Sequence, residues 1–138
     1  MSHRVLVCGG RAYRVRLEAT LAMLHRERPF TALIHGDAGC WVSERIAHAW
    51  VSTLEGADKL AGRWAEANGI PVEIYPADWR RYGKMAGPLR NEAMLLHGRP
   101  DRVVGFPGAS GTFDCCTRAE RYGVPVLTVG FSLRQGTG

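Results

Sequence analysis

The sequence predicts an α/β fold, a three-layer α/β/α domain built on a mainly parallel five-stranded sheet, and three observations carry that prediction. Five short apolar runs rich in Val, Ile and Leu recur along the chain. Stretches with apolar residues at helical spacing separate them. The runs are near-continuous and do not alternate with polar residues, which is the pattern of strands covered on both faces, and strands that alternate with helices form parallel sheets.

The elements follow in order. "HRVLVCGG" is an apolar strand that runs into glycines, and "LEATLAMLHRER" places Leu17, Leu21 and Leu24 on one helical face. "FTALIHGD" repeats the strand-then-glycine pattern. In "CWVSERIAHAWVSTLE" the residues Val42, Ile46, Ala49, Trp50 and Leu54 recur at helical spacing and predict an extra amphipathic helix over about 40–55. A helix from Leu60 to Ala67 closes at "ANG", and the strand "IPVEIYP" follows. The block "YPADWRRYGKMAGPLRN" has no periodicity up to Gly87 yet carries Trp79, Arg80, Arg81, Tyr82 and Lys84, so it reads as an ordered loop able to wall a pocket. A helix over Leu89 to Leu96, the strand "DRVVGFPG", a helix from about Thr112 to Tyr122 closed by "RYG", and the strand "VPVLTVGF" complete a single Rossmann-like domain over residues 1–138.

Composition narrows the function classes. With 46% hydrophobic and 22% charged residues, the chain has apolar content for one core without a disulfide scaffold. Its four cysteines show no Cys-x-x-Cys spacing and no charged-then-apolar leader precedes them, so a cytoplasmic protein with reduced thiols is expected. No apolar run approaches the ~20 residues of a membrane helix, and no membrane partner is expected. The net charge of +5 and pI of about 9.4 favour anionic ligands. The arginines are spread along the chain, so small phosphorylated ligands suit the charge as well as nucleic acid does, and nucleic-acid binding is expected to be weak.

In open parallel sheets, ligands bind beyond the carboxyl ends of the strands, where loops lead into helix N-termini with free N–H groups. Three such loops here are glycine-bearing: Gly9-Gly10-Arg11, Gly36-Asp37-Ala38-Gly39, and Pro107 to Thr112 with Gly108, Ser110 and Gly111. The first strand is not followed by GxGxxG and no Walker lysine is present, which disfavours dinucleotide dehydrogenases and P-loop nucleotidases.

The blocks "VLVCGGRAY", "LIHGDAG", "GADKLAGRWAEANGIPVEIYPADWRRYGKMAGPLRNEAML" and "GRPDRVVGFPGASGTFDCCTRAERYGVPV" resemble the YspA-like branch of the SLOG superfamily, which also holds the LOG phosphoribohydrolases and DprA. The resemblance runs from about Val5 to Val126. It implies a Rossmann-like domain whose glycine loops bind or sense a nucleotide or nucleotide-derived ligand, such as an ADP-ribose derivative. The alternative it implies is hydrolysis of the N-glycosidic bond of a nucleoside monophosphate, the LOG reaction, which uses an arginine in R-K-x-x-M and a glutamate in P-G-G-x-G-T-x-x-E. Arg90 falls on the arginine, and Pro107, Gly108, Gly111 and Thr112 fall on the second motif. Ala109 replaces its second glycine, however, and Cys115 stands at the glutamate position. Without a carboxylate to stabilise charge developing on the ribose, hydrolysis is the runner-up. DprA-like binding of single-stranded DNA is the further alternative. The relatives run almost directly from the second glycine turn into "GAD", so the helix predicted at about 40–55 is an insertion, open to packing on its own domain, to a subunit contact within a homo-oligomer, or to use as a lid.

The candidate ligand-binding residues are thus Gly9, Gly10, Arg11, Gly36, Asp58, Arg90, Pro107, Gly108, Ser110, Gly111 and Thr112, with Arg90 catalytic only if the protein is a hydrolase. Ser110 and Thr112 are open to phosphate contact or to capping the helix, Arg11 to clamping an anion or to solvation, and Asp37 and Asp58 to ribose hydroxyls, a metal, or local backbone donors. His35, His48 and Cys40 match no compact ligand spacing, and neither a metal nor a cofactor is expected.

Overall fold

The computed structural model describes residues 1–38 and 40–133, and for 40–44, 46 and 51–54 it describes the backbone alone. Five strands form one all-parallel sheet: β1 (Arg4–Cys8), β2 (Ala32–His35), β5 (Val72–Ile74), β6 (Arg102–Gly105) and β7 (Val126–Thr128). Their spatial order is β5-β2-β1-β6-β7. The chain therefore winds outward from β1 on one side, then returns to start again at β6 on the other, which is the order of a Rossmann-like half and places a topological switch point between β1 and β6.

The period of two along β1 divides the core. Val5 and Val7 join one apolar cluster with Leu17, Leu21 and Leu24 of α1 (Leu17–Glu27) and Ala57, Ala61, Trp64 and Ala65 of α2 (Ala57–Ala67). Leu6 and Cys8 join the other, with Met94 and Leu95 of α4 (Ala86–Leu96) and Cys115, Cys116 and Ala119 of α5 (Ser110–Arg121). Both faces of the central strands β1, β2 and β6 are thus covered, which is why they carry unbroken apolar runs, while the edge strand β5 carries Glu73 and is partly exposed.

The loop expected from Tyr75 up to Gly87 contains a short helix, α3 (Trp79–Tyr82), and a 3-10 turn over Gly83–Met85 leading directly into α4. Asp78 nucleates α3: its side chain accepts a hydrogen bond from the Arg81 N–H at 3.1 Å. Helix α4 begins at Ala86, ahead of the Leu89 predicted, because Pro88 lies in its first turn, where no N–H is needed.

Residues 40–55 correct the sequence reading. The helix predicted there is instead an antiparallel hairpin, β3 (Cys40–Ile46) and β4 (Ala49–Glu55), with register from Cys40 opposite Glu55 to Ile46 opposite Ala49. The apolar stripe assigned to Val42, Ile46 and Leu54 falls on side chains outside the described set, as does Gly39 of the second glycine turn. Ala47 and His48 form the two-residue turn at φ 47° and 69°, the left-handed sense that a type I′ turn requires. Neither is a preferred residue there, and each costs roughly 1–2 kcal/mol relative to glycine. Substituting Ala47→Asn with His48→Gly is therefore expected to slow amide exchange across the hairpin severalfold; unchanged exchange would mean that the turn does not limit hairpin opening.

Candidate functional site

The site grows from the carboxyl ends of β1 and β6. The loops that leave them touch through their backbones: the Gly10 N–H donates to the Pro107 carbonyl at 2.9 Å. No side chain fits between them. A Cβ on Gly9 would lie 2.6 Å from that of Ala57 and 2.9 Å from that of Phe106, and a Cβ on Gly108 would lie 2.8 Å from the Gly10 nitrogen. These glycines are required for close approach, not for positive φ.

Beyond this contact opens a cavity of about 880 Å³. On one side stands the N-terminus of α5, where Ala109, Ser110, Gly111, Thr112 and Asp114 line the wall. Ala109 is the N-cap residue and makes no side-chain cap bond, while Thr112 and Phe113 turn their N–H groups back to the Ala109 carbonyl. Neither Ser110 nor Thr112 caps the helix, so this end presents its backbone donors and the positive pole of the helix dipole to the cavity.

Opposite, Asp58 in the first turn of α2 is 4% exposed. Its Oδ2 accepts from the N–H groups of Gly36 and Ala38, each at 3.1 Å, and pins the second glycine turn. Its Oδ1 is buried without a hydrogen-bond partner among the described residues. Burial raises the Asp58 pKa to about 6, against the opposing pull of the Ala38 N–H, the Arg90 charge and the Gly36 N–H.

Arg90 and Asn91 bridge the two sides. The Arg90 Nη1 donates to the Gly36 carbonyl and its Nε to the Asn91 Oδ1 at 2.9 Å, while the Asn91 Nδ2 donates to the Gly111 carbonyl at 3.2 Å and to Asp114 Oδ2 at 2.9 Å. Gly36 is again a close-approach glycine, since a Cβ there would lie 2.7 Å from the Arg90 Cδ. Arg118 holds the same Asp114 oxygen at 2.9 Å.

The aromatic wall comes from α3. Trp79 packs its indole edge against Gly87, where a Cβ would be 3.2 Å away, and Arg11 lies over its ring at 5.3 Å from the centroid. Arg11, Trp79 and Arg90 also border a smaller cavity of about 240 Å³, lined besides by Gly36, Asp37 and Ala38.

The predicted residues thus come together, in two roles. Gly9, Gly10, Arg11, Asp58, Arg90, Ser110, Gly111 and Thr112 line the large cavity, and Gly36 lines the small one. Pro107 and Gly108 lie behind the wall and hold the loops in register. Asp37 is tied to Lys59 at 2.7 Å. His35 is buried, accepts the Asp37 N–H at Nδ1, and has its pKa lowered to about 4 by burial, so it is neutral at physiological pH.

The candidate residues read from the sequence include neither Asn91 nor Asp114. Asn91 adjoins Arg90 in "RN", where only the neighbouring motif residue drew notice. Cys115, at the glutamate position, is 1% exposed and packs into the core beneath α5, while Asp114, one residue earlier on the helix, lines the cavity. Cys8 also reaches the cavity wall, but hydrogen bonding to Cys115 and Cys116, together with burial, holds its thiol well above the ordinary range and so protonated.

Fold and site together define a Rossmann-like α/β protein with a ligand-sized cavity at its switch point, glycine-lined and flanked by arginines. The chain belongs to the YspA, cpYpsA-related SLOG family, whose family model matches residues 3–82. It is similar to the Gene 61 protein of Mycobacterium phage D29, with 34% identity over 137 residues that cover 92% of this chain and 96% of that protein. Membership associates the chain with nucleotide-related function. Among the described residues no helix is long and apolar enough to cross a membrane.

Proposed function

We propose that the chain binds a nucleotide or nucleotide-derived ligand, of the size of a nucleoside monophosphate or an ADP-ribose derivative, and acts by sensing or sequestering it. The observation that carries this reading is the convergence, on one cavity of about 880 Å³, of the uncapped N-terminus of α5, two arginines and a buried carboxyl. Such a volume is ordinary for a small-molecule site. The helix end and Arg11 suit a phosphate, Trp79 suits a ring, and no divalent ion is needed to neutralise the anion.

Titration calorimetry with AMP and ADP-ribose in EDTA is expected to show binding. A broad panel of nucleoside phosphates and ADP-ribose derivatives that gives no heat in either EDTA or magnesium would reject the reading.

Hydrolysis of an N-glycosidic bond is the second reading, favoured by the presence of Asp114 and Asp58 in the cavity wall. Against it, Asp114 is committed to Asn91 and Arg118. Chromatography of AMP incubated with the protein is expected to show no free adenine, and Arg90→Ala is expected to weaken binding. Adenine release that disappears in Arg90→Ala would make the protein a hydrolase. Single-stranded DNA is expected to bind weakly and only at low salt, because the aromatic and basic surface suited to stacking is confined to the short helix α3, with Trp79 and Tyr82.

A further inference from the structure

Asp58 has more acceptor capacity than its surroundings use. A carboxylate carries two oxygens, and the second glycine turn engages only Oδ2. Oδ1 has no partner among the described residues and is shut off from solvent in the empty protein, and since the residue forms part of the cavity wall a ligand hydroxyl reaches it as that wall adjusts on binding. A buried acceptor left unsatisfied is costly, and it is retained where something supplies the missing donor.

The supplier is not a phosphate, which carries the same charge as the carboxylate. Nor do the surroundings suit the edge of a base, which pairs through a donor and an acceptor together: the adjacent N–H groups of Gly36 and Ala38 are already spent on Oδ2. A hydroxyl requires only an acceptor. The anion-binding end of α5 lies across the cavity, linked to the Asp58 turn through Arg90 and Asn91, so a ligand spanning both ends carries hydroxyls at one and phosphate at the other.

We propose that Asp58 is a sugar-recognition residue, whose Oδ1 accepts a hydrogen bond from the 2′ or 3′ hydroxyl of a ribosyl phosphate and makes the cavity select ribosyl over deoxyribosyl ligands. This rests on the reading of the cavity as a nucleotide site and adds to it the chemical group that the site selects. The α5 N-terminus and Arg11 hold the ligand's phosphate side, and Asp58 reads its sugar.

The test is calorimetry at pH 8 with AMP, 2′-deoxy-AMP and 3′-deoxy-AMP, on the wild-type chain and on Asp58→Asn, with circular dichroism to establish that the variant is folded. One deoxy form is expected to bind wild type about ten- to a hundredfold more weakly than AMP, the worth of a hydrogen bond to a charged acceptor. In Asp58→Asn that ratio is expected to fall to within a few fold, because a neutral bond replaces a charge-assisted one. If all three bind wild type equally, the sugar role is overturned while the nucleotide site stands. If Asp58→Asn weakens all three by the same factor, Asp58 supports only the loop, and the proposal is again overturned. If none binds, the nucleotide reading itself fails and takes the proposal with it.

Discussion

Gly108→Ala is expected to lose at least tenfold in nucleotide affinity and about 1–3 kcal/mol in stability, the usual cost of forcing a methyl into a packed site. The cause is local and steric. The new Cβ would press on the Thr112 side chain and lie 2.8 Å from the Gly10 nitrogen, whose N–H holds the Pro107 carbonyl. Thr112 can shift its hydroxyl, but the Gly10 backbone can yield only by opening the contact between the loops after β1 and β6, and that contact backs the cavity wall at Gly10. Melting should fall by roughly 3–5 °C for each kcal/mol in a chain of this size. Gly111→Ala is the control, because a Cβ there meets nothing within 4 Å and the residue lies in the first turn of α5. It is expected to leave the melting temperature unchanged or to raise it slightly. Equal melting of the two variants, measured by circular dichroism, would show that glycine at 108 is not required by the loop contact.

That contrast also marks what the sequence could and could not disclose. The sheet was legible because its central strands are buried on both faces and so carry unbroken apolar runs, as in Val5 to Cys8 and Val103 to Gly105. The glycine loops were legible as a group, but not the division of labour within them: Gly108 and Gly111 look alike in the sequence, yet one is walled in and the other is open. The hairpin was misread because residues such as Val42, Ile46 and Ala49 satisfy helical spacing by coincidence. The same stretch is rich in Trp, Val, Ile and Thr, a composition that suits strands. Its reversal at Ala47 and His48 uses positive φ without the Asn or Gly that would have announced it.

The site was legible to the extent that motif residues carry it. Arg90 and the loop from Pro107 to Thr112 could be found by pattern, whereas Asp114 could not, since its place at the cavity depends on the rotation of α5. One residue turns a side chain by about 100°, so the helix that buries Cys115 against the sheet swings Asp114 to the cavity wall. Asp58 was legible as a carboxyl at a turn with three rival readings, ribose hydroxyls, a metal or local backbone donors. One oxygen fulfils the local role, and only the burial of the other points to a further one.

Asp58→Asn is accordingly expected to stabilise the unliganded chain at neutral and alkaline pH. The folded pKa of about 6 lies above the ordinary 3.8 because burial disfavours the charged form. With the folded value raised, the folded state holds the proton more tightly than the unfolded chain. The favourable contribution of Asp58 is therefore complete below pH 3.8, declines as pH rises, and is lost above pH 6, where folding must bury an ionised carboxylate. About two pK units at 1.36 kcal/mol each put that penalty on the order of 3 kcal/mol. The amide of asparagine can accept the Gly36 and Ala38 N–H groups and does not ionise, so the variant escapes the penalty. Urea denaturation of both proteins should give a stability difference that grows in favour of Asp58→Asn between pH 4 and pH 7 and is flat beyond. A difference that is independent of pH would mean that Asp58 is not cut off from solvent. The same carboxylate that destabilises the empty protein is the one assigned to the ligand hydroxyl, and a hydrogen bond donated to Oδ1 favours the ionised form. Saturating AMP should therefore narrow the gap between wild type and Asp58→Asn at pH 8, by raising the melting temperature of the wild-type chain more than that of the variant.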